Sequence, residues 1–301
     1  MKEKIQEIKK LDIGKITENV PLCEHTTYKV GGIASCFAYP NNVKSLIKLL
    51  KYLKKNNIKY KVLGNGSNTL FSDNKYEGVI IKLDKLDSIE VKDHTIVVGA
   101  GYNLIKLALL AAKRSLAGLE FASGIPGTVG GAVYMNAGAY KSDMGYIVKR
   151  VKVLTPEFRV ITMTNSELDF HYRSSFFQKH KDYICLEATI GLKKGKKEEI
   201  MKVNKERKQR RLESQPLEYP SAGSVFRNPE GLFAGKLIED LGFKGLMKGG
   251  AQISNKHANF IINKKNAKAS DIKELIEFTK EAVEERYNVE LKVEQEFVNW
   301  E

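Results

Sequence analysis

The sequence contains little cysteine, proline or tryptophan. Its few cysteines argue against both a disulfide framework and a structural zinc site. Of the 301 residues, 3 are cysteine, 7 are proline and 1 is tryptophan. Cys23, Cys36 and Cys185 are scattered and form no Cys-x-x-Cys pair. The sequence therefore indicates neither a disulfide framework nor a zinc site. Reduced thiols in a cytoplasmic protein are the simple interpretation.

Long hydrophobic runs are also missing. The longest apolar stretch, near 107–112, is far too short to cross a bilayer, which requires about 20 apolar residues in a row. Residues 1–10 carry charges where a signal peptide needs an apolar run. We therefore expect a soluble, cytoplasmic protein that inserts into no membrane.

Two common catalytic patterns are absent as well. There is no Gly-x-Ser-x-Gly elbow, which argues against a serine hydrolase. The histidines show neither a His-Glu-x-x-His motif nor another metal-ligand spacing, so we predict no metal site. These histidines are His25, His94, His171, His180 and His257.

Positive charge, in contrast, is abundant. The 50 Lys and Arg residues outnumber the 36 Asp and Glu residues, which gives a formal net charge of +14. This balance suits nucleic acid, an acidic membrane surface or phosphorylated small molecules as partners. The densest basic run, 205–211, has no interleaved aromatic residues and no surrounding nucleic-acid motif. We predict a solvated helix face near an anionic ligand there, and no nucleic-acid partner.

Small residues crowd the segment 120–140, which reads EFASGIPGTVGGAVYMNAGAY. It is too apolar for a flexible linker and too glycine-rich for a regular helix or strand. Glycine lets the backbone approach a ligand closely, and successive exposed N–H groups form anion-binding concavities. The alternative interpretation is a small-residue turn packed inside a core.

A second glycine segment, Gly64-Asn65-Gly66-Ser67-Asn68, follows a predicted strand. It matches neither the P-loop pattern nor the Gly-x-Gly-x-x-Gly fingerprint. Its N–H groups, the Ser67 hydroxyl and the Asn68 amide still suit a diphosphate. Two such segments facing each other would hold the pyrophosphate of a dinucleotide cofactor.

Hydrophobic periodicity also predicts particular elements. The chain begins with an amphipathic helix that includes Ile16, and Asn41 or Asn42 caps the next helix. Near the other end, Ser270 caps a long helix, and a last strand covers 289–298.

Three polar residues allow both a functional and an ordinary structural interpretation. Arg173 lies among aromatic residues. Its guanidinium either binds a carboxylate with two parallel hydrogen bonds or forms an ordinary surface ion pair. Ser224 lies at a tight turn, where serine is common for structural reasons. Glu294 lies on the polar side of the last strand, where solvent exposure is the simpler interpretation. The local pattern alone would not select these three.

Specific motifs follow one another along nearly the whole chain. The segment SGIPGTVGGA at 123–132, followed by GSVFRNP at 223–229, is highly specific. Its order and spacing fit one continuous member of a family, and the chain resembles the UDP-N-acetylenolpyruvoylglucosamine reductases. The matching segments are 26–32, 63–68, 122–140, 172–176, 220–229, 249–254, 257–263 and 291–294.

This resemblance implies an α+β fold, namely the FAD-binding fold of the vanillyl-alcohol-oxidase type. It predicts two FAD-binding subdomains, 1–83 and 84–205, and a C-terminal substrate-binding domain, 206–301. The short stretch from Ser224 to Glu294 resembles the family's second type, which lacks an inserted loop that carries a substrate-covering tyrosine.

The resemblance also implies a two-step reaction in peptidoglycan precursor synthesis. NADPH gives a hydride to non-covalently bound FAD and leaves, and the enolpyruvyl ether of UDP-N-acetylglucosamine then binds. The reduced flavin passes the hydride to the terminal enolpyruvyl carbon, which yields UDP-N-acetylmuramate. By resemblance Ser224 donates the proton, and Arg173 and Glu294 stabilise the enol intermediate.

Further positions are carried over as binding residues. Substrate contacts are implied for Tyr172, Asn228 and Gln252, and the basic residues Arg207 and Arg211 are candidates for the UDP diphosphate. Cofactor contacts are implied for Tyr28, Gly64, Asn65, Gly66, Ser67, Asn68, Ser123, Gly124, Ile125, Gly127, Thr128, Gly130 and Ala132.

The chain departs from the family pattern at a few positions. Asn65 and Lys141 stand where glycine is common in the family. Gln295 and Glu296 stand where the family often has a hydrophobic residue and an arginine.

Two other functions agree with parts of the pattern. A different flavin oxidase of the same fold would often hold FAD covalently through His or Cys, and neither glycine segment contains such a residue. A basic nucleic-acid-binding protein would be colourless and would bind DNA or RNA with a steep salt dependence.

Overall fold

The structure, a computed structural model, describes residues 1–300. Both helices and strands occur along this chain, with runs of several consecutive strands between some of the helices. The α-helices, numbered in chain order, are α1 (Lys2–Lys10), α2 (Val43–Lys55), α3 (Leu104–Lys113), α4 (Val129–Met135), α5 (Met144–Ile147), α6 (Phe176–Lys179), α7 (Lys197–Ser214), α8 (Ala234–Asp240) and α9 (Ala269–Tyr287).

Most strands are short, and several have only two or three residues. They are β1 (Gly14–Pro21), β2 (Ile33–Pro40), β3 (Tyr60–Val62), β4 (Thr69–Phe71), β5 (Tyr76–Ile81), β6 (Ile89–Lys92), β7 (Thr95–Gly99), β8 (Leu116–Ala117), β9 (Gly138–Ala139), β10 (Ser142–Asp143), β11 (Val148–Leu154), β12 (Val160–Thr164), β13 (Ile184–Gly191), β14 (Lys193–Lys194), β15 (Met247–Lys248), β16 (Ala251–Ile253), β17 (Ile261–Asn263) and β18 (Glu296–Val298).

Asparagine side chains begin two of the helices. Asn42 precedes α2, and its side chain accepts a hydrogen bond from Ser45 N at 3.0 Å. Asn103 does the same for α3 and accepts from Lys106 N at 2.9 Å. Each bond satisfies a backbone N–H that has no partner inside the helix. The predicted cap of α2 is confirmed.

The chain forms two compact units. Unit 1 comprises residues 1–18, 36–65 and 77–209, and unit 2 comprises 19–35, 66–76 and the chain from 210 onward. Each unit has its own cluster of buried apolar side chains. The predicted division into three domains, 1–83, 84–205 and 206–301, stays a prediction.

Unit 1 contains a five-stranded sheet and most of a four-stranded sheet. The five-stranded sheet has the order β12-β11-β13-β7-β6, and its neighbouring strands are antiparallel. The four-stranded sheet has the order β1-β2-β5-β3, in which β3 and β5 are parallel. Leu46 and Leu53 of α2 and Leu107 of α3 belong to the same buried cluster as these strands. Burial of this apolar surface is the main force that holds the unit together.

Unit 2 combines small sheets with the long helix α9. Strands β15, β16 and β17 form an antiparallel sheet, and β4 pairs with β18 in parallel. Ile272, Leu275 and Ile276 on one face of α9 are buried in one cluster with Ala251 and Ile253 of β16. This helix therefore covers the sheet of unit 2 with its apolar face.

The segment 120–140 contains a regular helix, contrary to the prediction. Helix α4 covers Val129–Met135 and includes Gly130 and Gly131. A Cβ on Gly130 would lie 2.9 Å from the Cβ of Ala100, closer than real Cβ atoms approach. Close packing in the core therefore requires the glycine and overrides its low helix propensity.

Three predicted element ends are also wrong. Ile16 lies in β1 and not in the first helix, which ends before the left-handed residue Asp12 with a φ of 50°. Ser270 lies inside α9, whose N-cap is Lys268. The last strand is limited to Glu296–Val298, because only these residues pair with β4.

The two longest helices of the described chain are rich in charge. Helix α9 has 19 residues and α7 has 18, and both carry many Lys, Arg and Glu side chains. No helix within residues 1–300 is long and apolar enough to cross a bilayer.

Candidate functional site

The loop between β3 and β4 presents backbone N–H groups that have no acceptor. None of the N–H groups of Gly64, Asn65 and Gly66 donates a hydrogen bond within residues 1–300. Gly66 has a φ of +62°, and a Cβ there would lie 2.4 Å from the carbonyl oxygen of His25, so only glycine fits. Consecutive N–H groups of this kind bind phosphate oxygens in proteins. The loop therefore fits the predicted diphosphate.

The two glycine segments meet at Thr128. A Cβ on Gly64 would lie 2.8 Å from Thr128 Oγ1, so the contact exists only because residue 64 is glycine. Thr128 is buried, and its Oγ1 accepts a hydrogen bond from Gly131 N at 3.2 Å. The segments that the sequence predicts to face each other are thus in contact within unit 1.

The remaining cofactor-predicted residues of the second segment are fixed by the fold. Ser123 Oγ donates to the carbonyl of Glu120 at 2.9 Å, and the carbonyl of Gly127 accepts from Leu104 N at 3.0 Å. Ala132 is buried, whereas other members are partly exposed and remain accessible to a ligand; these are Ser123, Gly124, Ile125, Gly127 and Gly130.

Tyr28 lies in the core of unit 2. It is fully buried, and its hydroxyl donates to Gln295 Oε1 at 3.1 Å. Gln295 Nε2 in turn donates to the carbonyl of Ala222 at 3.3 Å. Burial raises the pKa of Tyr28 well above its ordinary value, because the phenolate would lose its hydration. Tyr28 and Gln295 thus form a structural bridge, and the cofactor contact of Tyr28 stays a prediction.

Asn68 holds the stretch that carries Glu294. Its Nδ2 donates to the carbonyl of Glu294 at 3.0 Å, and its own carbonyl accepts from Glu296 N at 2.9 Å. Ser67 precedes Asn68 and is partly exposed. The end of the first glycine segment and the last strand are therefore joined within unit 2.

Ser224 and Glu294 lie on adjacent stretches of unit 2. Glu294 N donates to the carbonyl of Val225 at 2.8 Å, and Phe226 and Val293 form an antiparallel bridge. Both Ser224 and Glu294 are partly exposed. Backbone pairing thus places the stretches that carry Ser224 and Glu294 side by side. The local sequence alone favoured an ordinary turn serine and a solvent-exposed glutamate.

Asn259, which was not among the predicted site residues, supports this pairing. Its side chain accepts from Phe226 N at 2.9 Å and donates to the carbonyl of Phe226 at 2.8 Å. Its carbonyl accepts from Val225 N at 2.9 Å, and the residue is 4% exposed. The motif 257–263 marks this stretch by resemblance, but no local pattern reveals a partner 33 residues away.

Arg173 lies at the tip of a tight hairpin in unit 1. His171 and Ser174 form an antiparallel bridge, and Arg173 has a φ of 53°, which is rare for an arginine. Its guanidinium donates to the carbonyl of Gly138 at 2.7 Å and lies 5.0 Å from the ring centroid of Tyr172. The predicted arginine is therefore held by the second glycine segment and by an aromatic ring.

Side chains of polar residues hold this hairpin. Asn136 Nδ2 donates to the carbonyl of His171 at 2.7 Å, and Gln178 Nε2 donates to the carbonyl of Arg173 at 2.9 Å. Ser175 Oγ donates to a carbonyl of α4 at 2.7 Å. Asn136 and Ser175 are 1% and 0% exposed. No local sequence pattern marks Asn136 and Gln178, because each bonds to residues that are not its helical or strand neighbours.

The three substrate-predicted residues have different surroundings. Tyr172 of unit 1 is 52% exposed. In unit 2, Asn228 Oδ1 accepts from Ala234 N at 3.1 Å at the start of α8, and Gln252 Nε2 donates to the carbonyl of Gly245 at 3.1 Å. Asn228 and Gln252 therefore both have a role within the protein, and their substrate contacts stay predictions.

The two basic residues considered for the UDP diphosphate also have partners in the protein. The Arg207 guanidinium lies 4.6 Å from the ring centroid of Tyr140, whose hydroxyl donates to the carbonyl of Arg207 at 3.2 Å. Arg211 Nε donates to Gln215 Oε1 at 3.0 Å. Their role at a diphosphate stays a prediction.

Neither metal nor thiolate chemistry is indicated by the side-chain clusters. Among residues 1–300, no group of three or more His, Cys, Asp or Glu residues is placed to hold a metal ion. Burial raises the pKa of Cys36 and of Cys185 to about 12, because an apolar surrounding disfavours the thiolate. Both thiols are therefore protonated at neutral pH.

Comparison with known proteins matches two parts of the chain to family models. Residues 34–164 match an FAD binding domain, and residues 215–298 match the C-terminal domain of UDP-N-acetylenolpyruvoylglucosamine reductase. The UDP-N-acetylenolpyruvoylglucosamine reductase of Anoxybacillus flavithermus is 46% identical over 294 residues, which is 97% of each chain. That of Bacillus subtilis is 42% identical over 299 residues, which is 99% of each chain.

A solved structure agrees with these sequence matches. The crystal structure of UDP-N-acetylenolpyruvylglucosamine reductase from Thermus caldophilus superposes with a TM-score of 0.80 at 35% identity. The match covers 94% of this chain and 98% of the other. The predicted α+β, FAD-binding fold is confirmed. Since the relatives match almost from end to end and the FAD binding domain precedes the reductase C-terminal domain, the chain belongs to the UDP-N-acetylenolpyruvoylglucosamine reductase family.

Proposed function

We propose that this protein reduces the enolpyruvyl ether of UDP-N-acetylglucosamine to UDP-N-acetylmuramate, with NADPH as the hydride donor and FAD as the cofactor. It is thus an oxidoreductase of peptidoglycan precursor synthesis. The observation that carries the proposal is the match over 97% of both chains to the reductase of Anoxybacillus flavithermus.

The backbone around Gly64 supports FAD as the bound group. The N–H groups of Gly64 and Asn65 have no acceptor in the described chain and lie beside Thr128, which suits a diphosphate. FAD held there would supply hydride transfer between NADPH and the enolpyruvyl group, which is chemistry that side chains do not supply. We propose that FAD is bound non-covalently, since neither glycine segment contains His or Cys.

We infer that Arg173 binds the carboxylate of the enolpyruvyl group. A planar guanidinium forms paired hydrogen bonds with a carboxylate and neutralises the charge that arrives on the conjugated system. Asn136 and Gln178 fix the backbone of the hairpin before a substrate binds. Such prior positioning lowers the entropic part of the barrier.

Ser224 then donates its hydroxyl proton to the carbon next to the one that receives the hydride. Serine is a weak acid in water, but its acceptor is a very basic enolate carbon, so the transfer is downhill. Glu294 is held beside the Ser224 turn by its bond to Val225. We expect Glu294 to be protonated or closely paired, since an ionised carboxylate would oppose the negative charge of the enolate.

The wider predictions belong to the same proposal. The substrate contacts Tyr172, Asn228 and Gln252. Residues 1–83 and 84–205 form the two FAD-binding subdomains, and residues 206–301 form the substrate-binding domain. A cytoplasmic location agrees with the scattered cysteines, and the proposal includes no nucleic-acid partner.

An assay of NADPH consumption tests the proposed function. The purified protein is mixed with NADPH in the presence and absence of the UDP-N-acetylglucosamine enolpyruvyl ether. We expect turnover only with the sugar, followed as loss of NADPH absorbance. Equal NADPH consumption with an alcohol or simple sugar would instead indicate a different flavin oxidase. A colourless protein with salt-dependent binding to DNA or RNA would contradict the flavoenzyme assignment.

A further inference from the structure

Lys82 is a buried charged residue that the proposed mechanism does not use. It directly follows β5, is 6% exposed, and is the one charged residue among the buried polar side chains of residues 1–300. Burial lowers the pKa of Lys82, because its ammonium loses hydration, and the nearby Asp84 opposes this shift. A buried ammonium is costly unless an anion or several acceptors compensate it, so its position calls for a physical reason.

The partners of Lys82 within the described chain compensate its charge only in part. The ammonium donates a hydrogen bond to the carbonyl of Gly64. Asp84 Oδ1 lies 3.8 Å from Lys82 Nζ, beyond the usual hydrogen-bond distance, and the Asp84 side chain is 49% exposed. Water therefore weakens this ion pair. An ammonium offers more N–H donors than these partners use.

The position of Lys82 beneath Gly64 connects it to the candidate cofactor site. Gly64 is the residue that contacts Thr128, and its N–H and that of Asn65 have no acceptor within residues 1–300. The carbonyl of Gly64 points to the ammonium, so Lys82 fixes the orientation of this peptide. A fixed peptide with free N–H groups is an organised binding site for an anion.

We propose that Lys82 is a cofactor-binding residue whose ammonium orients the Gly64 peptide and compensates the negative charge of the FAD diphosphate. The inference rests on FAD as the cofactor. Bulk water and salt screen exposed lysines, whereas the interaction of a buried cation with a nearby anion is screened much less. A bound diphosphate would in return favour the charged form of Lys82. The bound diphosphate would thus offset the cost of burying the Lys82 ammonium, and the ammonium in turn would hold the Gly64 peptide in the orientation that binds the diphosphate.

The test measures the affinity of the apoprotein for FAD by flavin fluorescence at neutral pH. Lys82→Met removes the charge and keeps an unbranched side chain, and Lys82→Arg keeps the charge. Lys85→Met is the matched control, since Lys85 is exposed on the same loop. Circular dichroism of each apoprotein reports folding. If Lys82→Met does not fold, Lys82→Gln takes its place with the same expected result.

We expect Lys82→Met to weaken FAD binding about tenfold or more, as for loss of a charge-assisted contact. Lys82→Arg should keep most of the affinity, and Lys85→Met should bind like the wild type. Riboflavin, which lacks the diphosphate, should bind Lys82→Met and the wild type equally.

Two results would overturn this inference. One is unchanged FAD affinity in Lys82→Met; the other is an equal loss for riboflavin and FAD, which would show that the charge does not act on the diphosphate. A wild-type protein that binds no FAD would contradict the cofactor assignment itself, so the two failures are distinguishable.

Discussion

At the residue scale, the proposed chemistry depends on side chains whose neighbours are set by backbone pairing. Ser224 follows a left-handed glycine, Gly223 with a φ of +75°, and its neighbour Val225 accepts a bond from Glu294 N. The buried amide of Asn259 holds the next residue, Phe226, at both its N–H and its carbonyl. The backbone that directly follows Ser224 is therefore fixed by hydrogen bonds from Glu294 and Asn259.

Ser224→Ala should separate the two half-reactions. Reduction of FAD by NADPH needs no proton from Ser224, so its rate should match the wild type. Enolpyruvyl reduction should slow by about 100-fold or more, as for loss of a general acid. Stopped-flow absorbance of the flavin measures both steps.

Ser221→Ala serves as the control for this variant, since Ser221 is a nearby serine in the same motif, 220–229. It should leave both half-reactions unchanged. Equal loss of both steps in Ser224→Ala would show that Ser224 is not the proton donor.

At the scale of single elements, hydrogen bonds from distant residues fix how helices and hairpins begin and end. Helix α9 starts at Ala269, and the carboxylate of Asp73 accepts from Ala269 N at 2.8 Å and from Ser270 N at 3.0 Å. The predicted cap at Ser270 is replaced by a carboxylate from another part of unit 2. The Arg173 hairpin is likewise held by Asn136 and Gln178.

Asp73→Ala should destabilise α9 and with it unit 2. Two N–H groups of the first turn would lose their acceptor, which costs about 1 kcal/mol of the free energy of unfolding. Urea denaturation followed by circular dichroism measures this change. Asp73→Asn keeps an acceptor, so its free energy of unfolding should fall less. The control Asp87→Ala, at an exposed residue, should leave the free energy of unfolding unchanged. Equal stability of Asp73→Ala and the wild type would contradict the capping role.

Gln178→Leu should affect enolpyruvyl reduction more than flavin reduction. The variant loses the donor to the carbonyl of Arg173, so the guanidinium is less well placed for the substrate carboxylate. We expect about a tenfold lower rate of the second half-reaction, of the size found for small misplacements of catalytic groups. Gln178→Glu, which lacks the amide donor when ionised, should resemble Gln178→Leu.

Lys179→Met controls for changes in the same short helix, because Lys179 is an exposed partner of Asp169. It should leave both rates unchanged. If Gln178→Leu slows flavin reduction equally, the residue supports the fold in general and does not position Arg173.

At the scale of the whole molecule, the residues predicted to act in the reaction are distributed over two compact units. Arg173, Gly64 and Thr128 belong to unit 1, whereas Ser224 and Glu294 belong to unit 2. Each unit has its own apolar core, so each is able to hold its own residues in place.

FAD should stabilise the folded protein and leave it on denaturation. A ligand that binds only the folded state at 100 times its dissociation constant adds about 2.7 kcal/mol of stability. The melting temperature of the apoprotein should therefore rise with FAD concentration, as measured by circular dichroism. After denaturation and ultrafiltration the yellow colour should appear in the filtrate. Colour that stays with the chain would indicate a covalent flavin and a different oxidase.

Local sequence was sufficient for features that depend on neighbours within a few residues. The cap of α2, predicted at Asn41 or Asn42 and found at Asn42, follows from side-chain chemistry and helical periodicity. The family followed from the order of the motifs 123–132 and 223–229, since such a specific combination is carried by the sequence itself.

The tertiary structure decided everything that depends on partners distant in the chain. Residue 130 of α4 must be glycine because a Cβ there would lie 2.9 Å from the Cβ of Ala100, a residue 30 positions earlier in the chain. Lys82 is exceptional only because it is buried under Gly64, and a lysine looks the same in sequence whether exposed or buried. Sequence patterns record local preferences, whereas burial and long-range hydrogen bonds depend on the path of the whole chain, and only the folded structure contains that path.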